Sequence, residues 1–214
     1  MRKLEKFDNL VSMFFTRARE KGDAPFLWAK SGGKWHATSW AESARKVASL
    51  AAALQKLGLK PGDRVMLVSE NRPEWCLSDL AIMAAGGVTV PTYTTNTERD
   101  HQHIIDNSGA TMTIVSDAKL ARTLLPAILH TAGSVGHVVI GMEELKLSQP
   151  GAIDFHDWNA LIAANPVDVA EAEQAAARMK RADLACIIYT SGTGGSPRGV
   201  MQHHGAILHN VEGC

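Results

Sequence analysis

A short polar segment near the end of the chain carries the residues best suited to chemistry. It contains four glycines, four hydroxyl side chains, one proline and one cation, in the order Thr190, Ser191, Gly192, Thr193, Gly194, Gly195, Ser196, Pro197, Arg198 and Gly199. Glycines let backbone N–H groups turn toward a ligand, and hydroxyls and a guanidinium donate further hydrogen bonds to phosphate oxygens. The composition therefore predicts a phosphate-binding segment, which we call the 190–199 segment. The alternative is a solvent-exposed turn without a ligand, as most isolated glycine clusters are.

A Walker A loop, another glycine-rich phosphate loop, does not fit these residues. That pattern ends in Gly-Lys-Ser or Gly-Lys-Thr, whereas Pro197-Arg198-Gly199 stands at the corresponding place here. The sequence therefore does not predict a P-loop kinase or GTPase.

Apolar runs of strand character alternate along the chain with amphipathic runs of helical spacing. Strands are predicted at 64–68, 88–90, 111–115, 137–140 and 184–189, with a weaker one at 153–155. Helices are predicted from about residue 8 and over 40–57, 73–83, 97–107, 118–129 and 157–164. This alternation predicts an α/β fold with a doubly wound, mostly parallel sheet and flanking helices. Ligands of such sheets bind outside the carboxyl ends of the strands, which is where the strand at 184–189 delivers the 190–199 segment.

Local signals define the ends of several helices. Ser39 and Glu42 form a capping-box pattern, Thr97 or Asn96 caps the helix before residue 107, and Gly109 ends it. Pro126 is expected to shorten or kink the helix at 118–129. The helix that ends the chain is expected to follow directly on the 190–199 segment.

Three parts of the chain are predicted. They are an N-terminal helix and entry segment at 1–37, an α/β subdomain at 38–183, and a strand, phosphate-binding loop and start of a truncated second subdomain at 184–214. Residues 165–181, rich in alanine and charge, are interpreted as a connecting helix or an ordered linker.

Composition excludes several classes of protein. The 22 basic and 22 acidic side chains give a formal net charge of zero without a block of like charge, so nucleic acid is not a predicted partner. Three widely spaced cysteines are typical of free thiols in a reducing compartment. The start of the chain has no run that fits a signal peptide or a transmembrane span, and we expect a cytoplasmic protein.

The first predicted helix leaves one alternative open. Leu10, Val11, Phe14 and Phe15 form an apolar face with basic neighbours, a pattern that fits either docking on the domain or peripheral membrane contact. Docking is the favoured interpretation, because basic flanks of an amphipathic helix are more often solvated.

Other chemically capable residues do not form a convincing site. His101 and His103 are two residues apart and face different ways on a helix, and the histidines after residue 202 match no metal-ligand spacing, so no metal site is predicted. Asp79 and Asp106 are expected to face solvent. No carboxylate pair stands out for acid–base chemistry.

The residues from Tyr189 to Met201 resemble a motif of the AMP-forming adenylating enzymes, the superfamily of acyl-CoA synthetases, luciferases and adenylation domains. The family loop reads Tyr-Thr-Ser-Gly-Thr-Thr-Gly-x-Pro-Lys-Gly-Val-Met, and this chain follows it at eleven of thirteen positions, counting the free x as a match. Gly194 replaces the second threonine and Arg198 replaces the lysine. Residues 38–95 extend the resemblance toward the long-chain fatty acyl-CoA synthetases, through the motifs Leu-Gly-Leu-Lys-Pro-Gly-Asp-Arg-Val at 57–65, Glu-Asn-Arg-Pro-Glu-Trp at 70–75 and Gly-Gly-Val-Thr-Val-Pro-Thr-Tyr at 86–93.

The resemblance implies a long-chain fatty acid:CoA ligase (AMP-forming). Such an enzyme activates a fatty acid with ATP to acyl-AMP and pyrophosphate, and then transfers the acyl group to coenzyme A, with Mg²⁺ accompanying ATP. It implies that residues 190–196, Arg198 and Gly199 contact the ATP phosphates, and His204 matches a histidine common after Val-Met in the family.

The resemblance also implies that this chain is the first part of the large N-terminal domain. The family's adenine, ribose and magnesium contacts and its small lid domain with a catalytic lysine come in later segments, so no catalytic set is complete here and the chain alone is expected to be inactive. The missing part of the large domain and the lid domain are then partners. The alternatives are a non-catalytic remnant that binds nucleotide or a partner, and a structural subdomain that assembles with a separately encoded half.

Overall fold

A computed structural model describes residues 5–131, 136–147, 151–190 and 196–212. The helices of these residues are α1 Leu10–Lys21, α2 Trp40–Lys56, α3 Pro73–Ala84, α4 Glu98–Ser108, α5 Ala118–His130, α6 Trp158–Ala164, α7 Val169–Ala176 and α8 His204–Glu212. The strands are β1 Pro25–Ser31, β2 Lys34–Ser39, β3 Arg64–Val68, β4 Val88–Thr92, β5 Met112–Val115, β6 His137–Gly141, β7 Ile153–Asp157, β8 Leu184–Thr190 and β9 Arg198–His203.

Within the described residues, seven strands form one sheet in the order β7-β6-β5-β3-β4-β8-β9. Neighbouring strands are parallel from β7 to β8, and β9 runs antiparallel to β8 at the edge. Strands β1 and β2 form a separate antiparallel hairpin. The predicted mostly parallel, doubly wound sheet is confirmed.

Helices cover both faces of the sheet. Alternate residues of each strand point to opposite faces, so one strand contributes side chains to two cores. Val65 and Leu67 of β3 face a core shared with α1, α2 and α3, whereas Met66 and Val68 face a core shared with α4 and α5. On the first face, buried Trp158 at the start of α6 donates a hydrogen bond to Ser78 Oγ of α3 at 2.9 Å. Strands buried on both sides are what an internal parallel sheet requires.

The predicted helix limits agree closely with the structure where a local cap defines them. Ser39 caps α2, and Thr97 and Asp100 form a reciprocal capping box at α4. Gly109 ends α4 in the left-handed conformation, which glycine adopts without steric cost. The segment that was interpreted as a helix or linker contains α7. The helix α5 is not shortened at Pro126 and continues to His130.

Three features differ from the sequence prediction. The hairpin of β1 and β2 was not predicted. Strand β4 extends through Pro91 to Thr92, since a proline near the end of a strand removes little of the hydrogen-bonded ladder. Strand β9 begins within the 190–199 segment at Arg198 and continues to His203, so α8 does not follow the segment directly. Both β8 and β9 join the same sheet as β3 to β7, and the division of the chain into three parts stays a prediction.

The apolar face of α1 packs into the protein. Val11, Phe14, Phe15 and Ala18 are buried in the core shared with α2 and α3, as the docking interpretation expects. Among the helices that the structure describes, none combines the length and apolar character that crossing a membrane requires.

Candidate functional site

A cavity of about 450 Å³ opens at the carboxyl ends of β3, β4 and β8. Ser69, Glu70 and Asn71 enter it directly after β3, and the chain from Pro91 to Thr94 enters it at the end of β4. Ile188 and Tyr189 line it from β8, immediately before the 190–199 segment. The ligand crevice of a parallel sheet lies at this edge.

Both ends of the 190–199 segment lie at the same edge of the sheet. Thr190, the last residue of β8, is in register with Arg198, the first residue of β9, and both side chains are exposed, as is Ser196. Within the part of the chain that the structure describes, Arg198 takes part in no ion pair. Predicted phosphate contacts Ser191, Gly192, Thr193, Gly194 and Gly195 lie outside the described residues.

Gly199 has a packing role that the sequence did not indicate. It lies opposite Tyr189 across the β8–β9 hairpin. A Cβ atom at Gly199 would stand 2.8 Å from Ile187 Cγ2 and 3.1 Å from Tyr189 Cζ, closer than side-chain atoms approach. The absence of a side chain therefore lets the Tyr189 ring lie across β9.

Helix α4 contacts the chain on both sides of the segment. The Tyr189 hydroxyl donates a hydrogen bond to Asn107 Oδ1 at 2.7 Å, and burial raises the pKa of this phenol, which keeps it a neutral donor. His103 Nε2 lies 2.8 Å from the carbonyl oxygen of Pro197, and its ring meets the Tyr189 ring edge-on.

A network of charges borders the cavity on the side away from β8. Ser116 Oγ donates to Glu70 Oε2 at 2.7 Å, and Arg72 pairs with Glu74 at 2.8 Å and Glu143 at 2.7 Å. Burial works against the charged guanidinium, but the hydrogen bonds to Glu74 and Glu143 outweigh it and hold the pKa of Arg72 above its usual range. These contacts fix the chain that follows β3.

A second cavity, of about 940 Å³, shares Glu70, Asn71 and Trp75 with the first and reaches the β1–β2 hairpin. Trp28 and Trp35 line it and are 55% and 64% exposed. The two cavities therefore adjoin, and together they extend from the end of β8 to the β1–β2 hairpin.

The structure removes His204 from the candidate site. It begins α8, directly after His203, which pairs with Leu184 at the opposite end of β8 from the segment. The imidazole is buried, its Nδ1 accepts a hydrogen bond from the Leu10 N–H at 3.4 Å, and burial lowers its pKa. His204 therefore packs α8 against α1. The Val-Met-x-x-His spacing was a misleading signal, because β9 runs antiparallel along β8 and carries the chain from the segment to the other end of that strand.

Burial accounts for the shifted pKa values of three other titratable residues. Asp79 does not face solvent as expected: it lies half-buried on α3, and burial raises its pKa to about 6. Burial also lowers the pKa of His101 and of His137 to about 4. Within the described ranges, no group of three histidine, cysteine or acidic side chains gathers as metal ligands.

The sequence analysis did not predict that several residues lie at the candidate site. Glu70, Asn71, Thr92 and Tyr93 belong to motifs of the resemblance, which assigns no role to them, and Ser69 and Thr94 flank these motifs. Their position directly after neighbouring parallel strands was a usable signal. His103 and Asn107 gave no signal, because their contacts with β8 and β9 depend on how α4 packs.

Comparisons with known proteins show related sequences and a shared fold. Long-chain-fatty-acid–CoA ligase FadD15 of Mycobacterium tuberculosis is 30% identical over 207 residues, which cover 97% of this chain and 33% of that protein. The human mitochondrial acyl-coenzyme A synthetase ACSM5 is 31% identical over 191 residues, covering 86% and 30%. The crystal structure of a benzoate CoA ligase from Burkholderia xenovorans LB400 superposes with a TM-score of 0.75 at 23% identity, over 96% of this chain and 36% of that one, which shows a shared fold.

This chain thus spans about a third of the length of the curated relatives it matches. The family model described as AMP-binding enzyme matches residues 14–214, which include the sheet, the cavity at its carboxyl edge and the whole 190–199 segment. The chain belongs to the AMP-binding enzyme family.

Proposed function

We propose that the protein activates a carboxylate by AMP-forming chemistry and passes the acyl group to coenzyme A, with a long-chain fatty acid as the carboxylate. The observation that carries this proposal is the position of the 190–199 segment. Strand β8 brings Ile188 and Tyr189 to the cavity at the carboxyl edge of the sheet and leads directly into the segment, in a chain of the AMP-binding family. The resemblance at 57–93 and the match to a long-chain-fatty-acid–CoA ligase support the choice of carboxylate.

The reaction needs the reacting groups to be held in line and the developing charge to be neutralised, and it needs no protein nucleophile. In this proposal the 190–199 segment holds the β- and γ-phosphates of ATP. Thr190 and Ser196 offer hydroxyl donors, and the exposed Arg198 offers a guanidinium that no described residue neutralises. Mg²⁺, when bound with ATP, would supply further neutralisation of phosphate charge.

Two substitutions in the segment modify this interaction. Gly194 lacks the hydroxyl donor of the family motif, and Arg198 presents a planar fork in place of a compact ammonium. We expect the guanidinium to bind two phosphate oxygens at once and so to offset the lost hydroxyl in part.

Calorimetric titration of the purified chain with ATP and Mg²⁺ tests the proposal. Arg198→Ala should weaken ATP binding about tenfold or more, because a charge-assisted hydrogen bond contributes about 1.5–3 kcal/mol. Arg45→Ala removes an exposed arginine of α2 and serves as the matched control. Equal affinities of the Arg198→Ala and Arg45→Ala proteins would show that the segment does not bind the phosphates.

A non-catalytic nucleotide-binding protein is the alternative that the two substitutions favour. The two functions differ in ATP–pyrophosphate exchange, which requires formation of an acyl-adenylate. Exchange that depends on added palmitate, measured on the whole protein, supports the ligase, and ATP binding without exchange supports the alternative.

A further inference from the structure

The phosphate-binding segment connects two strands at the edge of the sheet. Strand β9 is the edge strand. On its other side, β8 runs parallel to β4, with Cys186 paired to Thr89. The residues of β8 nearest the segment, Ile188 to Thr190, pair with β9 alone. Contacts outside the sheet can therefore add to the support of Tyr189 and Pro197, the described residues on either side of the loop.

Helix α4 contacts the chain on both sides of the loop through two side chains. His103 and Asn107 are four residues apart and so lie on the same face of α4. Asn107 Oδ1 accepts the Tyr189 hydroxyl at 2.7 Å, one residue before the segment, and His103 Nε2 lies 2.8 Å from the Pro197 carbonyl oxygen within its far end. One rigid helix thus holds both strands of the hairpin at its open end.

The chemistry of these contacts defines the state of each partner. A carbonyl oxygen can only accept, so His103 carries its proton on Nε2. The His103 and Tyr189 rings meet edge to face, with centroids 6.2 Å apart and an interplanar angle of 86°. Tyr189 in turn lies across Gly199, which has no side chain to displace it. His103, the Pro197 carbonyl group, Tyr189 and Gly199 therefore pack together between α4 and the hairpin.

We propose that His103 and Asn107 are positioning residues for the phosphate-binding segment, acting through Pro197 and Tyr189. This proposal rests on the proposed function of the segment. A hairpin that is held in place before ATP arrives loses less conformational freedom on binding, so the anchors raise affinity without contacting the ligand. Neither residue is a catalytic residue in this account.

The test compares His103→Ala, Asn107→Ala and His103→Gln with Gln102→Ala, a neutral control on the same helix. Amide hydrogen exchange without ligand, read by mass spectrometry on a peptide spanning 189–199, measures the anchoring itself. Both alanine variants should exchange several-fold faster there and keep their melting temperature within a few degrees. His103→Gln retains an amide donor and should restore slow exchange in part.

Calorimetry with ATP and Mg²⁺ then measures the effect on the ligand. Both alanine variants should bind about tenfold more weakly, corresponding to about 1.4 kcal/mol, and the loss should be entropic. Unchanged exchange in the alanine variants, or the same acceleration in Gln102→Ala, overturns the anchoring. If exchange is faster in the alanine variants but the whole protein binds no ATP, the anchoring stands and the proposed function is refuted.

Discussion

Gly199 lies opposite Tyr189 in the β8–β9 hairpin, and its lack of a side chain leaves room for the Tyr189 ring. A methyl group there would contact Ile187 Cγ2 at 2.8 Å, so the Tyr189 ring or Ile187 must move. We expect Gly199→Ala to lower the free energy of unfolding by about 1–3 kcal/mol, as overpacking does. Urea denaturation measures the change. Gly151→Ala, at a glycine with open space around its Cα atom, should change it by less than about 0.5 kcal/mol.

Asp79 makes stability depend on pH. Its carboxyl group lies near Cys76, Cys186 and the Thr89 hydroxyl, and burial raises its pKa to about 6 although Thr89 opposes the shift. Below about pH 4 the carboxyl is neutral in both the folded and the unfolded chain, so burial carries no charge penalty. As pH rises from about 4 to about 6 the unfolded chain ionises first, and stability falls by at most about 3 kcal/mol.

Asp79→Asn removes this penalty. The substitution should stabilise the protein at pH 7 to 8 and give no gain at pH 4, in thermal melts followed by circular dichroism. Asp106→Asn, at an exposed carboxylate of α4, is the matched control and should show no such difference. Equal stabilities of wild type and Asp79→Asn at pH 8 would show that the Asp79 carboxylate is well solvated.

At the scale of elements, Asn9 joins α1 to α7. Its Oδ1 accepts the Ser12 N–H at 2.7 Å as the N-cap of α1, and its Nδ2 donates to the carbonyl oxygens of Ala176 and Met179 at 3.0 and 3.1 Å. The residue is fully buried. One amide thus satisfies a helix start and a helix end that are far apart in sequence.

Asn9→Asp separates these two roles. Aspartate is as good an N-cap as asparagine, but it cannot donate to the two carbonyl groups and places a buried charge beside them. We expect a loss of about 2–4 kcal/mol in the free energy of unfolding. Asp117→Asn, the corresponding exchange at the N-cap of α5, should change it by less than about 0.5 kcal/mol. A small effect of Asn9→Asp in urea denaturation would show that α7 does not depend on these bonds.

Elements with local signals were predicted and those that depend on distant partners were not. Ser39, Thr97 and Gly109 act on backbone groups within a few residues, so their helices could be predicted from sequence. Strand β9 exists because it pairs with β8, and its residues alternate in exposure without a clear apolar pattern. The candidate site followed the same division: composition singled out the segment, whose phosphate contacts stay a prediction, whereas the contacts of α4 with Tyr189 and Pro197 depend on packing between elements.

At the scale of the molecule, the edge strand β9 is exposed. Val200 and Met201 are 42% and 70% exposed on it, and the neighbouring Ile188 is 41% exposed. An apolar edge strand with unpaired backbone groups promotes association between chains. Met201→Lys should therefore reduce self-association of the isolated chain, measured by light scattering over a concentration series, with little change in melting temperature.

Leu129→Lys on α5 is the control for this substitution. Leu129 is 39% exposed and lies away from the sheet edge, so a lysine there adds the same charge without altering β9. Equal suppression of association by both variants would assign the effect to net charge, against a role of the edge.

The sheet order also has a consequence for biosynthesis on the ribosome. Thr89 of β4 finds its partner Cys186 about 100 residues later in the chain, a separation that makes closing this contact slow. Strands β3 to β6 and helix α4 can assemble while β8 is still being translated, so the β8–β9 hairpin joins these elements after they have formed. A nucleotide that binds this hairpin would then lower the rate at which the hairpin detaches from the sheet. The rates of the earlier folding steps would not change.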